Sequence, residues 1–399
     1  MHVETPLIST IVAGLVLAFA FGSLALRLRL PPLIGYLVAG ILVGPFTPGY
    51  VADQSLAQEL SEIGVILLMF GVGLHFSLKH LLSVWTIAVP GALAQIALAT
   101  LMGAGLAYGW GWKPGAGLVF GLALSVASTV VLLKALQERD QVDSQDGRIA
   151  VGWLIVEDLA MVLTLVLLPA LAGFLGGKES AQGSTSLGLT LLLTLGKVAA
   201  FVAVMLLIGR RFIPWMLERV VWTGSRELFR LGVLATALGV AYGASQLFGV
   251  SFALGAFFAG MVLAESEFSQ RAAEESLPLR DAFAVLFFVS VGMLFDPRIL
   301  LEAPLAVLAT CFIILVGKSL AAWAIVRLGR RSQATALTIS ASLAQIGEFS
   351  FILASLGLSL ELLPERGYTL ILAAAILSIM ANPLAFRLAD RFGGNAKAT

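Results

Sequence analysis

Long apolar runs separated by short polar breaks dominate this chain. Read between charged or Pro/Gly-rich breaks, they give thirteen candidate spans: residues 7–26, 33–48, 58–76, 84–109, 114–136, 148–173, 188–209, 230–247, 250–264, 280–296, 304–326, 333–358 and 367–386. About 20 apolar residues in a helix cross a ~30 Å hydrocarbon core. Only helices and closed barrels satisfy their own backbone groups there. The pattern predicts an all-α polytopic membrane protein with about 13 transmembrane helices. The stretch 230–264 reads either as one long helix or as two short ones split near Gly249.

Charge resolves that choice. Residues 210–230 hold Arg210, Arg211, Arg219, Arg226 and Arg230, and residues 265–280 hold Arg271 and Arg280. If both are cytoplasmic loops, two helices lie between them. With thirteen spans, one set of loops collects those seven arginines with Arg27, Arg29, Lys79, Lys134, Arg139, Arg148, Arg327, Arg330, Arg331, Arg387, Arg391 and Lys397. The opposite set holds Lys113, Lys178, Arg298 and Arg366. The positive-inside rule then places the N-terminus outside and the C-terminus in the cytoplasm.

Composition points the same way. Of 399 residues, 59% are hydrophobic and 12% charged, against roughly 25% charged in soluble domains. This excludes most soluble enzyme classes, and a net charge of +1 gives no basic face for nucleic acid. The one cysteine, Cys311, lies in an apolar run, so an intrachain disulfide and a cysteine-rich metal site are excluded. The histidines are His2, His75 and His80, with no H-E-x-x-H pattern. Met1 to Pro6 carries no Lys or Arg, and the run 7–26 is too long for a typical signal h-region, so a retained first helix is expected.

An internal repeat orders the spans. Residues 35–44 (GYLVAGILVG) match 255–264 (GAFFAGMVLA) at an offset of 220. Residues 67–74 match 286–293 at an offset of 219, and Ser125-Val-Ala-Ser128 matches Ser342-Leu-Ala-Gln345 at 217. Seven spans separate each pair, so the copies are expected to be inverted, as in many secondary transporters. Small-residue helix packing is the plainer explanation. The expected organisation is dimer or scaffold helices 1–3 in 1–83 and core helices 4–6 in 84–187. A linker helix and basic loop follow in 188–229, then scaffold helices 8–10 in 230–303. Core helices 11–13 and a short cytoplasmic tail fill 304–399. Lys197 falls within the linker span.

Charged side chains at the bilayer centre cost about 2.5–3.5 kcal/mol each on insertion scales, which makes them functional candidates. Glu157 and Asp158 stand together mid-span, Lys318 lies in the middle of 304–326, and Glu348 lies within 333–358. Helix neighbours point about 100° apart, so the two acids face different partners. One division turns Asp158 toward an aqueous cavity and Glu157 toward Lys318. A carboxylate carries a proton or a desolvated monovalent cation, not both, and competition between those loads is antiport. Burial and a nearby lysine act on its proton affinity in opposite senses. The structural alternatives are an ion pair at Asp158, a static Glu157–Lys318 bridge, and Glu348 capping a broken helix. Ser125, Ser128 and Thr129, with Gln345 and Gly347 opposite, suit locally unwound helices whose freed backbone lines a cavity. Ordinary hydroxyl back-bonding is the alternative there.

The motifs at 67–76 (LLMFGVGLHF), 125–133 (SVASTVVLL), Glu157-Asp158, 287–296 (FFVSVGMLFD) and 347–351 (GEFSF) resemble the membrane domain of Kef-type monovalent cation:proton antiporters, over nearly all spans. The resemblance implies the sodium/proton-antiporter fold, with inverted repeats, two crossed broken helices and a homodimer in the bacterial inner membrane. It implies elevator-like alternation of core against dimer. It also implies cation and proton binding at Asp158 and a charge partner for Glu157 in Lys318. No cofactor is implied beyond the cargo, K+ or Na+ and H+. Many Kef-type proteins have Gln where this chain has Glu157, and paired acids point instead to sodium relatives. The family's cytoplasmic nucleotide-binding regulatory domain is a further expected partner, as no G-x-G-x-x-G occurs here. The expectation is a K+-favouring antiporter; the alternatives are a Na+:H+ exchanger or a cation efflux channel lacking its control domain. No TVGYG-like filter supports a channel, and no nucleophile–base set supports an enzyme.

Overall fold

The computed structural model describes residues 6–28, 30–75, 78–137, 139–142, 144–178 and 187–393. His2, Arg29, Lys397 and the side chains of His75, Lys79, His80 and Lys134 lie outside the described residues. The elements are α1 (Pro6–Arg27), α2 (Pro32–Val43), α3 (Gln54–His75), α4 (Leu78–Gly109), α5 (Pro114–Ser125), α6 (Thr129–Gln137), α7 (Gln145–Leu171), α8 (Leu187–Val204), α9 (Arg210–Val221), α10 (Arg226–Phe248), α11 (Phe252–Ala264), α12 (Ser269–Met293), α13 (Ile299–Glu302), α14 (Pro304–Phe312), α15 (Ser319–Leu328), α16 (Gln333–Ser342), α17 (Glu348–Ser359) and α18 (Glu365–Gly393). π-helical turns at Met205–Gly209 and Ile313–Lys318 join α8 to α9 and α14 to α15.

Among the described residues no strand occurs. Nine helices there are long and apolar enough to cross a membrane, and Pro32–Val43, Pro114–Ser125, Phe252–Ala264 and Glu348–Ser359 are shorter apolar helices.

Local chemistry sets the ends. Proline opens α5 and α14, where its missing N–H would have no helical partner. Ser144, Ser225, Ser251 and Ser332 cap α7, α10, α11 and α16 by accepting backbone N–H bonds at 3.0–3.3 Å. Gly249, at φ 65°, ends α10 in the left-handed region and splits 230–264 into two helices.

Two basic segments read as loops are helical. Residues 210–221 form α9, and 269–280 are the first half of α12. Arginine is a good helix former, so a run of charge does not by itself end a helix. In α9, Ile213 and Leu217 are buried four residues apart, while Arg210, Arg211 and Arg219 are exposed. This is an amphipathic stripe, and α9 continues the apolar span Leu192–Val221. Arg210 pairs with Glu265 at 3.1 Å, and Arg230 pairs with Glu275 on α12.

The chain forms two compact units. The first comprises Met1–Leu28, Gly35–Ser77 and Ser184–Leu294. Within it α3 lies against α11 and α12, and glycines let backbones touch. A Cβ on Gly40 would stand 2.0 Å from the Val289 carbonyl oxygen and 2.8 Å from Gly292 Cα. A Cβ on Gly260 would stand 2.1 Å from the Phe70 carbonyl oxygen and 3.0 Å from Gly73 Cα. The repeat offsets turn the first contact into the second: Gly40 aligns with Gly260, and Gly292 with Gly73.

The second unit comprises Arg29–Ile34, Leu78–Gly183 and Phe295–Thr399. Here α4 lies along α5 and α7, α17 meets α5, and α16 meets α7 and α18. Its apolar core gathers Leu132, Leu136, Ile149, Trp153, Val326, Ile339 and Leu343. The buried carboxylates and the buried ammonium among the described residues, Glu157, Asp158, Glu348 and Lys318, all belong to this unit.

Gly40→Val is expected to destabilise the protein by about 1–3 kcal/mol through overpacking. Gly105→Ala, whose new Cβ meets nothing within 4 Å, is expected to leave stability unchanged or raise it by up to about 1 kcal/mol through helix propensity. Thermal unfolding in detergent checks both.

Candidate functional site

The site of the second unit is built on two helix breaks. Between α5 and α6, residues 126–128 leave the helix, with Val126 extended at φ −102°, ψ 130°. Between α16 and α17, residues 343–347 do the same. Each break frees backbone N–H and C=O groups that must find partners away from water.

The breaks satisfy one another. The Ser128 N–H donates to Gln345 Oε1 at 2.9 Å, and Gln345 Nε2 donates back to the Ser128 carbonyl at 3.1 Å. Gly347 permits this approach, since a Cβ there would stand 2.2 Å from Ser128 Cβ. Other buried side chains supply the remaining partners. The Ala127 N–H donates to Glu157 Oε2 at 2.9 Å. Lys318 Nζ donates to the Gln345 carbonyl at 2.8 Å, and Gln95 Nε2 donates to the Ser125 carbonyl at 3.0 Å.

These bonds sort the sequence candidates. Glu157 serves one break as an acceptor, and Lys318 serves the other as a donor. Their charges act on each other, but no direct ion pair joins them among the described residues. Lys318 closes the π-helical turn Ile313–Lys318, a wide turn often found at functional positions. The Ser125 hydroxyl only back-bonds to the Leu122 carbonyl at 2.8 Å. Ser128 Oγ donates to Glu348 Oε2 at 2.7 Å. Glu348 itself opens α17, where a carboxylate complements the positive helix end.

Asp158 stands apart from this backbone accounting. It is buried on α7, and its Oδ2 accepts the Thr129 hydroxyl at 3.0 Å. Its Oδ1 has no hydrogen-bond partner. The Glu348 and Glu157 charges both bear on it. A buried carboxylate with a free oxygen, beside two unwound segments and two further acids, has the donor set for a proton or a small cation.

Sequence reasoning missed Gln95, the Ala127 N–H and Asn382. Gln95 and Asn382 are buried amides in otherwise apolar runs, and Asn382 Nδ2 donates to the Ala341 carbonyl at 2.9 Å. A lone amide inside a span is the signal that finds both. The Ala127 N–H has no side-chain signature.

An all-helical polytopic architecture with a buried carboxylate beside paired helix breaks defines a secondary-transporter class of protein. Comparison with known proteins gives the family. Residues 13–388 match the profile of the sodium/hydrogen exchanger transmembrane family, and the chain belongs to it. It is 66% identical over 392 residues to YbaL of Escherichia coli (strain K12), named as a cation/proton antiporter, covering 98% of this chain and 70% of that one. It is 34% identical over 390 residues to K(+) efflux antiporter 4 of Arabidopsis thaliana, covering 97% of this chain. The chain spans 64% of that relative's length. The sodium proton antiporter MjNhaP1 of Methanocaldococcus jannaschii has the same fold, with a TM-score of 0.74 at 18% identity over 97% of this chain and 99% of that one.

Gln345→Leu is expected to strand the Ser128 N–H and C=O, at about 1–3 kcal/mol for each group. Lys318→Met strands the Gln345 carbonyl at a similar cost. Ser125→Ala is expected to stay within about 0.5 kcal/mol, since its hydroxyl bonds only its own helix. Melting temperatures in detergent rank the three.

Proposed function

We propose that this protein exchanges a monovalent cation, K+ in preference to Na+, for protons, with Asp158 as the shared carrier. The carrying observation is that Asp158 makes no bond to the broken backbone and keeps Oδ1 unbonded, whereas Glu157, whose Oε1 is also unbonded, is tied through Oε2 to the Ala127 N–H. Protonated, Asp158 is neutral and needs no ion. Ionised, it attracts a cation, with the Thr129 hydroxyl beside it and carbonyls of the breaks available to complete the shell. One carboxylate cannot hold both loads, so each passage carries one of them. In this reading Glu157 and Lys318 hold the breaks in place and set the field in which Asp158 titrates.

Among the described residues, nine long helices and four short ones suit thirteen passes, with α5–α6 and α16–α17 as crossed, broken helices. The first unit would serve as homodimer scaffold and the second as the moving core of an elevator. The reciprocal Gly40–Gly292 and Gly73–Gly260 contacts favour two inverted copies. The loop charges favour a bacterial inner-membrane protein with its N-terminus outside. K+ is favoured by the K(+) efflux antiporters among the relatives. The second reading, Na+:H+ exchange, is favoured by the Glu157–Asp158 acid pair and the name of MjNhaP1.

The test is proton movement in proteoliposomes holding this chain under an imposed pH gradient. K+ and then Na+ added outside are expected to collapse the gradient, K+ at the lower concentration. Asp158→Asn is expected to abolish the response while remaining folded. Full activity in that variant overturns the carrier assignment, and a stronger response to Na+ selects the second reading.

A further inference from the structure

A second charged feature of the same unit lies away from Asp158. Val84, Thr86 and Ile87 of α4, Gln145, Arg148 and Ile149 of α7, and Arg331 after α15 line a cavity of about 280 Å³. Arg148 is exposed and Arg331 half-buried. Arg139, Arg210, Arg230, Arg280 and Arg298 each pair with a carboxylate, but Arg148 and Arg331 form no ion pair among the described residues. The nearest acid along α7, Asp146, is engaged by the Thr335 hydroxyl at 2.7 Å. Arg331 is held by its backbone: Arg330 takes a left-handed φ of 57°, and Arg327 Nη1 donates to the Arg331 carbonyl at 2.7 Å. Two arginines lining one cavity place like charges together, an arrangement that an anion bound in the cavity relieves. The first turn of α7, with its positive helix end, adds to that field.

Depth and lining identify the anion. In α4 the sequence turns apolar after Lys79 and His80, and in α7 after Arg148, so both apolar runs begin near the cavity. The cavity therefore lies where hydrocarbon gives way to headgroups. The exposed Trp85 beside it is the residue type that marks that level. Three of its seven lining residues are apolar (Val84, Ile87, Ile149), and Gln145 and Thr86 offer neutral hydrogen bonds. We infer that this cavity binds the headgroup of an anionic phospholipid, its phosphate between Arg148 and Arg331 and its glycerol end against the apolar wall. Basic pockets between helices take such headgroups. Asp158 lies ten residues further along α7, about 15 Å at 1.5 Å per residue. A bound lipid thus clamps α4 and the α15–α16 turn to the helix that carries the carboxylate.

The test uses the full chain, delipidated in detergent and titrated with phosphatidylglycerol, phosphatidylcholine or inorganic phosphate, with melting temperature as readout. Phosphatidylglycerol is expected to raise the melting temperature and phosphatidylcholine to leave it unchanged. Arg148→Gln/Arg331→Gln is expected to shift the phosphatidylglycerol midpoint about thirtyfold higher, from roughly fivefold per arginine. Its lipid-free melting temperature should match wild type, because neither side chain makes a hydrogen bond or ion pair among the described residues. Arg219→Gln/Arg226→Gln, which removes two exposed arginines elsewhere, should keep the wild-type midpoint. An unchanged midpoint in Arg148→Gln/Arg331→Gln overturns the site. Equal stabilisation by inorganic phosphate, lost in the same variant, overturns the lipid as occupant.

Discussion

The constraint on which this molecule rests is that backbone cut loose from a helix inside hydrocarbon must still bond every N–H and C=O. Two helices of the second unit are interrupted, and their freed groups are bonded by Gln345 and Ser128 across the breaks, by Glu157, by Lys318 and by Gln95. An acid accepts from one break and an ammonium donates to the other. The chemistry is complementary, so two costly buried charges stabilise an otherwise forbidden backbone. The cost of burying ions is then offset by hydrogen bonds to them, which exceed neutral ones in strength. An unwound segment so held presents carbonyl oxygens at membrane depth without becoming disordered.

This accounting also explains why two adjacent acids differ in role. Glu157 is committed to the Ala127 N–H, and removing that bond would open the break. Each acid keeps one unbonded oxygen, but the other oxygen of Asp158 accepts only the Thr129 hydroxyl. Chemically similar groups, one residue apart, are separated by the 100° step of the helix into one that bonds broken backbone and one that does not. The first unit shows the opposite logic. Its contacts are glycine against backbone, with no buried charge among its described residues. Dispersion from close approach stabilises helices where lipid supplies no hydrophobic driving force.

Much of this was legible in the residue pattern because hydrocarbon tolerates so few exceptions. The helical class followed from run length, the split at Gly249 from charge parity, and Glu157, Asp158, Lys318 and Glu348 from being charges in apolar runs. The matched strings around Gly40, Gly73, Gly260 and Gly292 marked contacts that the structure makes between the repeat copies. The rest was hidden for identifiable reasons. Residues 210–221 read as a loop because their arginines count as a break in an apolar run, although arginine continues a helix readily. The Glu157–Lys318 pairing read from charge alone is an indirect one, because each group is first claimed by backbone that only the fold exposes. Ser125 and Ser128 look alike in sequence. Only the helix break at 126–128 sends one hydroxyl back to its own helix and the other across to Glu348.

The central claim is that one carboxylate holds either a proton or a cation. The most direct measurement is proton release from the detergent-solubilised protein in weak buffer when K+ or Na+ is added. The account predicts release that saturates with cation binding, at no more than about one proton per chain, and is absent in Asp158→Asn. Cation binding that saturates with no proton released, or release that persists in Asp158→Asn, would contradict it.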